Sequence, residues 1–425
     1  MKKSLHEKFK LRQIKHPNKL VASVIFLALG RIAKKRGATF TYDFDVKKVK
    51  KKPFMLISTH ASRDDYLYNL YGMRVNNIHI VCGYRNVFQK YVYSIFKSIG
   101  VIAKYLYQPD PTAVKQMLKS VKMGDSLFLA PEGIQSTSGS THPINPATMD
   151  FIAKCKLPVI LCKTNGSYLT RTRYSSDIKK GKMNFHYTYL FTPEELATKS
   201  KQELYAKLME HFKYNEFDYN RQHKIAFKGE KPNAFGLEKI IYRCPHCNSE
   251  FKIKVDGEVV SCSECGYSVR MDEYYLLNPV SKDMIFDDTD KWYKWQRKIL
   301  HGETRSDEFC LTQKVKLSDI NPSKLGKNFS SRDIGEGVLT LTNKGLHYVG
   351  TQLEESVDLF FEAQAVYSLI FDINGGLALY YKNKFYNFTL LERPNEAVKW
   401  MISAEEIHNL YDAEWRTASE QVYDY

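Results

Sequence analysis

Long hydrophobic runs are absent from this sequence of 425 residues. The longest apolar run in its N-terminal part, Leu20 to Gly30, has 11 residues, whereas a helix that crosses a bilayer needs about 20. The start, Met1-Lys2-Lys3, is followed by mixed polar residues and lacks the apolar region of a secretory signal peptide. We therefore expect a cytoplasmic protein that does not cross a membrane.

Cysteine is also scarce, with eight residues, of which four are scattered. The other four form two Cys-x2-Cys pairs separated by 14 residues, at Cys244, Cys247, Cys262 and Cys265. Four thiolates at this spacing suit tetrahedral zinc and leave no position for a catalytic water, so we predict a structural zinc ribbon. Disulfides are the alternative, disfavoured because nothing in the sequence indicates secretion. Zinc ribbons bind nucleic acid or mediate protein contacts, so this module does not decide the function.

Acidic residues are few in the N-terminal segment. Residues 1–52 contain 16 Lys and Arg but only three acids, which places +13 of the net charge of +16 there. Anionic lipid headgroups attract each nearby Lys or Arg by about 1 kcal/mol, so we expect this segment to contact an anionic membrane surface. Nucleic acid is a less favoured partner. The run from Leu20 to Gly30 lies between these cations, and two interpretations stay open: an interfacial helix in one leaflet, or a buried helix that covers a sheet.

A buried strand is predicted at Phe54 to Ser58, and His60 follows directly after it. In a general-base mechanism, a neutral imidazole takes a proton from an attacking hydroxyl, while a carboxylate on the other ring nitrogen holds the useful tautomer. Asp65 is our candidate for that carboxylate. Positions five apart do not share a helix face, so the pair requires a turn between them. Taken alone, the His-x4-Asp motif has an ordinary loop as its alternative.

A second short strand, Ser126 to Ala130, leads directly into Pro131-Glu132-Gly133-Ile134-Gln135-Ser136. Together with His60 and Asp65, this order and spacing resembles the glycerolipid acyltransferases of the lysophosphatidic acid acyltransferase type, whose signatures are His-x4-Asp and Phe-Pro-Glu-Gly-Thr-Arg-Ser. The resemblance covers residues 20–230 and implies an α/β domain with a mixed sheet flanked by helices. It also implies transfer of a fatty acyl group from acyl-CoA or acyl carrier protein to the free hydroxyl of a lysoglycerolipid, 1-acyl-glycerol-3-phosphate by analogy, in phospholipid biosynthesis. His60 then deprotonates the hydroxyl, Asp65 orients His60, and Glu132 with Gly133 positions the acceptor.

Two arginines that are typical of this family are missing. Ile134-Gln135 stands where the family has Thr-Arg, and the block from Gly100 to Leu106 lacks its terminal Arg. A neutral amide cannot replace a guanidinium in bidentate phosphate binding. The acceptor therefore stays open between lysophosphatidate and a lysolipid or glycolipid without a phosphomonoester. Four cations could supply the missing charge: Arg85, Lys104, Arg171 and Arg173. For each of them, the alternative is a solvated position on the surface.

The C-terminal part has a different pattern. Trp292 and Trp295 lie in a stretch that we predict to be a helical connector, and about seven short strands separated by turns follow it. An amphipathic helix is predicted to begin at Pro394. This pattern resembles a pleckstrin-homology or GRAM-type barrel, an all-β fold with a C-terminal helix. Such domains either bind anionic headgroups or act only as scaffolds, and both possibilities stay open.

These observations predict a peripheral acyltransferase on the inner face of the membrane. The alternative is a non-catalytic membrane adapter or nucleic-acid-binding protein on a decayed acyltransferase fold, and the intact His60, Asp65 and Glu132 argue against decay. The predicted parts are a basic membrane-contacting segment (1–52), a lysophospholipid acyltransferase domain (53–230), a zinc ribbon (235–275), a helical connector (276–311) and a PH/GRAM-like domain (312–425).

Overall fold

A computed structural model describes residues 4–281, 283–320, 325, 331–423 and 425. Residues 1–3 of the predicted basic segment, and residues 321–324 and 326–330 of the predicted C-terminal barrel, lie outside the described residues. Among the described helices, none combines the length and the apolar character needed to cross a membrane.

A mixed sheet flanked by helices occupies the first half of the chain, as the sequence predicts. Its described strands have the order β1-β7-β6-β2-β5-β3-β4, in which β6 and β7 are antiparallel and every other neighbouring pair is parallel. The elements of this part are α1 (Leu5–Lys10), α2 (Lys19–Lys35), β1 (Ala38–Tyr42), α3 (Val46–Val49), β2 (Met55–Ser58), α4 (Asp65–Met73), β3 (Ile78–Gly83), α5 (Tyr84–Val87), α6 (Tyr93–Ser98), β4 (Ile102–Lys104), α7 (Pro111–Lys122), β5 (Ser126–Leu129), α8 (Ala147–Cys155), β6 (Val159–Asn165), α9 (Ser167–Thr170), β7 (Met183–Phe191), α10 (Pro193–Thr198), α11 (Lys201–Phe212) and α12 (Glu216–His223).

Strand β2 lies in the middle of this sheet, between β5 and β6. Met55 and Ile57 pack into the core on one face, and Leu56 packs into the core on the other face. A strand that is buried on both faces reads as a continuous apolar run rather than an alternating one. Because β2 and β5 are parallel, their carboxyl ends meet at one edge of the sheet, and the loops after them come together there.

Helix α2 has one buried side and one exposed apolar side, and the interfacial interpretation of the early apolar run stays a prediction. Ala22, Leu29 and Ala33 are buried, so one side of the helix covers the sheet. Its opposite side exposes large apolar side chains at helical spacing, namely Leu20, Val24 and Leu27.

A four-stranded antiparallel sheet follows, with the order β11-β10-β9-β8, and then one long helix. The predicted hairpin at Asp256-Gly257 joins β8 to β9. The predicted connector is a helix, but it lies in the core: Trp292 is fully buried and its Nε1 donates to the Arg243 carbonyl (2.8 Å). The elements are β8 (Ile253–Asp256), β9 (Val259–Cys262), β10 (Ser268–Met271), β11 (Leu277–Pro279) and α13 (Thr289–Glu303).

A separate all-β sheet forms the C-terminal part. Its described strands are antiparallel and have the order β15-β14-β13-β12-β18-β17-β16. The PH-like identity of this part stays a prediction. The elements are β12 (Cys310–Ile320), β13 (Ser331–Thr342), β14 (Gly345–Gln352), β15 (Glu355–Glu362), β16 (Ile370–Phe371), β17 (Gly376–Tyr381), β18 (Lys384–Leu390), α14 (Ala397–Tyr411) and α15 (Ala413–Tyr423).

The prediction of a single amphipathic C-terminal helix is wrong in two respects. Two helices follow the sheet, and the first, α14, is buried over 12 of its 15 residues. Its acidic residues Glu405 and Glu406 are buried because both form ion pairs with Arg297 of α13. One hydrophobic cluster continues from Ala61 of the first part, through the four-stranded sheet, to Trp400 of α14. The predicted parts therefore share a core.

Candidate active site

His60 and Asp65 are brought together at the carboxyl end of β2. His60 Nδ1 lies 3.1 Å from Asp65 Oδ1, and the Ser62 backbone N–H donates to Asp65 Oδ2 (2.8 Å). A turn separates the strand from α4, which begins at Asp65 itself. A carboxylate only accepts hydrogen bonds, so Nδ1 carries the proton in this pair and Nε2 is left with its lone pair.

The electrostatic environment favours the protonated form of His60. Burial lowers the pKa of His60, but the charge and hydrogen bond of Asp65, together with the charge of Glu132, outweigh burial and raise the pKa above its usual value. Asp65 is 1% exposed, whereas 22% of the His60 side chain is exposed. Because its pKa is raised, His60 holds an abstracted proton more firmly than a free imidazole does.

Glu132 of the second motif is the link between two loops. Its Oε2 accepts the backbone N–H of His60 (2.6 Å), and its Oε1 accepts the backbone N–H of His142 (2.7 Å). We predicted that this carboxylate contacts the acceptor, but in the structure both oxygens bind the protein's own backbone and the residue is 1% exposed. Glu132 therefore positions His60.

The buried Glu132 carboxyl predicts a pH-dependent stability. Burial raises the pKa of Glu132 from its ordinary 4.5 to about 7, although the two backbone N–H groups oppose the shift. A raised carboxyl pKa means that the folded state binds the proton more tightly. The resulting stabilisation is present below pH 4.5 and is lost as the pH rises through about 7.

We expect this group to lower the free energy of unfolding by about 3 kcal/mol over that pH range. Urea unfolding at several pH values, for wild type and for Glu132→Gln, measures the difference. The variant is expected to lose this part of the slope, so its stability relative to wild type should rise as the pH is raised through about 7. An identical slope in both proteins would contradict the assignment.

Gly133 has a backbone conformation that suits glycine, and its role in the approach of the acceptor stays a prediction. Its φ is +78°, a conformation that favours glycine, and a Cβ there would lie 3.5 Å from the Tyr107 ring. The Tyr107 hydroxyl donates to the Glu132 carbonyl (3.2 Å). Tyr107 thus stabilises the second motif through this hydrogen bond, a role that the sequence did not predict.

Three arginines, here called the arginine cluster, act on one another electrostatically, and one of them, Arg173, also acts on His60: Arg63, Arg85 and Arg173. Burial lowers the pKa of Arg173 to about 10; Asp372 opposes this shift, whereas Arg63 and Arg85 add to it. Arg173 also acts on His60, whose pKa it lowers. Arg85 and Arg173 were predicted as candidates, and Arg63 was missed although it lies inside the His-x4-Asp motif.

The other two predicted cations have partners of their own, and Arg171 lies between the two motifs. Arg171 is paired with Asp64, and Gln135 lies next to it, with its amide Nε2 donating to the Arg171 carbonyl (3.4 Å). Lys104 donates to the Tyr105 carbonyl (2.9 Å), and burial lowers its pKa.

The C-terminal sheet contacts two members of the arginine cluster, Arg85 and Arg173. Arg173 donates to the Phe371 carbonyl, and its guanidinium lies 4.8 Å from the centroid of the Phe371 ring. The Arg85 backbone N–H donates to the Tyr380 hydroxyl (3.0 Å). Asp372 follows β16 at this contact. The sequence carries no signal for this arrangement, because it depends on how two distant parts of the chain pack.

The four paired cysteines form a candidate metal site. Their sulfur atoms all lie within 4.8 Å of one another, with Cys244 to Cys265 and Cys247 to Cys262 at 3.8 Å. A disulfide requires about 2.0 Å, whereas the edge of a tetrahedron with metal–sulfur distances of about 2.3 Å measures about 3.8 Å. The geometry therefore fits a metal ion such as zinc.

Comparisons with solved structures give a distant likeness. No protein-family model and no curated protein matches this chain. A solved structure, the 1-acyl-sn-glycerophosphate (LPA) acyltransferase PlsC from Thermotoga maritima, is similar over 46% of this chain and 77% of that chain, with 17% identity and a TM-score of 0.39. At these values the likeness is weak, and the proposals below rest on the residues of this chain.

Proposed function

We propose that this protein is an acyltransferase that moves a fatty acyl group from a thioester donor to the free hydroxyl of a lysoglycerolipid. The observation that carries the proposal is the hydrogen-bonded unit of Asp65, His60 and Glu132. Asp65 holds the His60 ring through Nδ1, and Glu132 holds its backbone. A histidine fixed from both sides, with Nε2 available and part of the side chain exposed, is suited to general-base catalysis.

In the proposed reaction, Nε2 of His60 removes the proton of the acceptor hydroxyl as the oxygen attacks the thioester carbonyl carbon. The tetrahedral intermediate collapses with cleavage of the carbon–sulfur bond, and the thiolate takes the proton from His60. The products are an ester and a free thiol. Asp65 stabilises the imidazolium between these two steps, and a positioned base of this kind contributes about 10²- to 10⁴-fold to the rate.

The arginine cluster supports an acceptor that carries a phosphomonoester, such as 1-acyl-glycerol-3-phosphate. Guanidinium groups bind phosphate through charge-assisted hydrogen bonds, and these residues provide the charge that Gln135 cannot. Asp372 is the carboxylate that now faces Arg173, so the acceptor phosphate competes with it.

A panel assay tests both the activity and the acceptor. Thiol release is measured with acyl-CoA and acyl carrier protein donors, using lysophosphatidate and uncharged lysoglycerolipids as acceptors. We expect turnover with lysophosphatidate, and Arg173→Gln is expected to raise the KM for this acceptor by about tenfold or more. Arg332→Gln, which alters an exposed arginine paired with Asp319, is the matched control. No turnover with any pair would favour the alternative of a membrane adapter.

The exposed side of α2 supports contact with an anionic membrane surface. Leu20, Val24 and Leu27 are 80%, 66% and 68% exposed on one side of the helix. Cations flank this apolar stripe, among them Lys15, Lys19, Arg31, Lys34 and Lys35. An apolar stripe bordered by lysine and arginine lies in the plane of the interface with its apolar side in the lipid.

Introducing charge on the stripe is expected to release the protein from vesicles. Val24→Asp with Leu27→Asp should weaken binding to phosphatidylglycerol vesicles by about tenfold or more, because charged side chains replace apolar area that the lipid would cover. Sedimentation with vesicles measures this binding. Leu353→Asp, at an exposed leucine of the C-terminal part, is the control. Equal sedimentation of all three proteins would argue against this role of α2.

The cysteine cluster is proposed to hold a structural zinc ion. Four protein thiolates complete the tetrahedron, so the ion would stabilise the fold and take no part in acyl transfer. We further propose that the C-terminal sheet and α14 form a PH-like domain, which its strand order and following helix support.

A further inference from the structure

An open cleft of about 490 Å³ lies apart from His60. Three chain segments form it: the end of α2, the loop before β7, and the end of α12. Its lining residues are Lys35, Arg36, Gly37, Lys180, Gly181, Lys182, His223, Lys224, Ile225 and Ala226. We call it the basic cleft.

The charge of the basic cleft is not neutralised by the protein. Five lysine and arginine side chains line it, and within the described part of the chain none of them forms an ion pair with a carboxylate. The adjacent Lys179 behaves differently, since its Nζ lies 2.7 Å from Asp177 Oδ2. Cations from three separate segments repel one another unless an anion lies between them. The cleft is thus complementary to a multiply charged anion.

Close backbone packing holds two of these segments together. The ideal Cβ position of Gly37, whose φ is +73°, lies 3.4 Å from the Gly181 carbonyl oxygen. A Cβ on Gly181 would meet the Phe227 ring at 2.2 Å, so the wall of the cleft excludes a side chain there. The cations are therefore mounted on segments that pack against each other rather than on a free loop.

The basic cleft lies at the same edge of the sheet as His60. Gly37 precedes β1 and Lys182 precedes β7, and these parallel strands begin where β6 ends. Strands β6 and β2 run in parallel, and β2 ends just before His60. The sheet order places β1 three positions from β2, which corresponds to about 14 Å.

We propose that the basic cleft binds the phosphates of a nucleotide thioester, the anionic end of a CoA-type acyl donor. The proposal rests on the proposed function and selects between its two donors. CoA carries a phosphomonoester and a diphosphate, which match five cations better than the single charge of a lipid phosphodiester does. A concave site of this volume suits a small ligand, whereas a carrier protein would cover a broader surface. The pantetheine arm then spans the distance along the sheet edge to His60.

Calorimetric titration of the full-length protein with CoA and with adenosine 3′,5′-bisphosphate tests the proposal without any turnover. Lys182→Glu with Lys224→Glu is expected to weaken binding of both ligands by about tenfold or more, because charge reversal replaces attraction by repulsion. Lys254→Glu with Lys314→Glu is a charge-matched control, since both residues are exposed and lie away from the cleft. Circular dichroism verifies that each variant is folded.

The outcomes separate this proposal from the proposed function. His60→Ala should bind CoA as tightly as wild type does, because His60 does not line the cleft. If wild type binds CoA but shows no turnover, the acyltransferase reaction is refuted and the cleft assignment stands. CoA binding that is unchanged by Lys182→Glu with Lys224→Glu would overturn the cleft assignment. Absence of nucleotide binding in wild type would also overturn it. If binding to phosphatidylglycerol vesicles were then lost in the same variant, the cleft would belong to lipid headgroups.

Discussion

Replacing His60 with alanine is expected to reduce kcat for acyl transfer by about 10²- to 10⁴-fold, the usual contribution of a positioned general base. Without the imidazole, no group accepts the hydroxyl proton as the oxygen attacks. Asp65→Asn should also reduce kcat, because the amide neither stabilises the imidazolium nor holds the tautomer that leaves Nε2 free. The measurement is steady-state thiol release at saturating donor and acceptor.

His347→Ala is the matched control for this experiment. His347 also pairs with a carboxylate, since its Nε2 lies 2.6 Å from Asp358 Oδ1, but the pair is exposed on the C-terminal sheet. We expect wild-type kcat in this variant. If His60→Ala and His347→Ala had equal activity, His60 would not be the base.

Loss of one cysteine ligand is expected to destabilise the protein strongly. Cys262 is 2% exposed at the end of β9, and structural zinc contributes about 10–16 kcal/mol of apparent binding free energy in small zinc-binding peptides. Cys262→Ser should therefore lower Tm by about 10 °C or more. The core of this module continues to Ala61 and Tyr168, so the destabilisation should also reach the sheet that carries His60.

Thermal unfolding and metal analysis of the same preparations measure this effect. Cys310→Ser is the control, because Cys310 is an exposed cysteine outside the cluster. Wild type and the control should contain one zinc per chain and unfold at the same temperature. A Cys262→Ser variant with unchanged Tm, or a wild type that binds no metal, would refute the structural zinc site.

Local signals in the sequence were sufficient for strands β2 and β5, whereas the association of the two motifs was implied by the family resemblance. The continuous apolar runs of β2 and β5 indicate strands that are buried on both faces, and parallel neighbours end at the same edge. His60 and Glu132 follow these strands, and they come together because β2 and β5 are neighbours in the sheet. The hairpin of the four-stranded sheet was equally visible, because its Asp-Gly turn is a local signal.

The role of Glu132 could not be predicted from the sequence. Whether a carboxylate faces a ligand or the protein depends on the loops around it, and the partner amide of His142 comes from a segment without any regular pattern. The local sequence around a buried glutamate that accepts two backbone hydrogen bonds does not differ from that around an exposed glutamate. The resemblance to a family motif indicated the importance of Glu132 but assigned it to the acceptor.

Contacts between distant parts of the chain were also beyond the sequence. Helix α14 was predicted to be amphipathic, yet Arg297 of α13 supplies the charge that allows Glu405 and Glu406 to be buried. The contact of Phe371 with Arg173 likewise depends on packing between two sheets. Periodicity describes one element and its nearest surroundings, and it does not describe which other element will cover its polar side.

The most direct test of the acyltransferase assignment is quantification of both products after wild-type protein is incubated with acyl-CoA and lysophosphatidate. Mass spectrometry of the lipid and a thiol assay of the same samples give the two amounts. The proposed reaction predicts diacylated phospholipid and free CoA in a one-to-one ratio, and neither product with His60→Ala. Free CoA accompanied by fatty acid instead of the ester, or no product from folded wild type, would contradict the account.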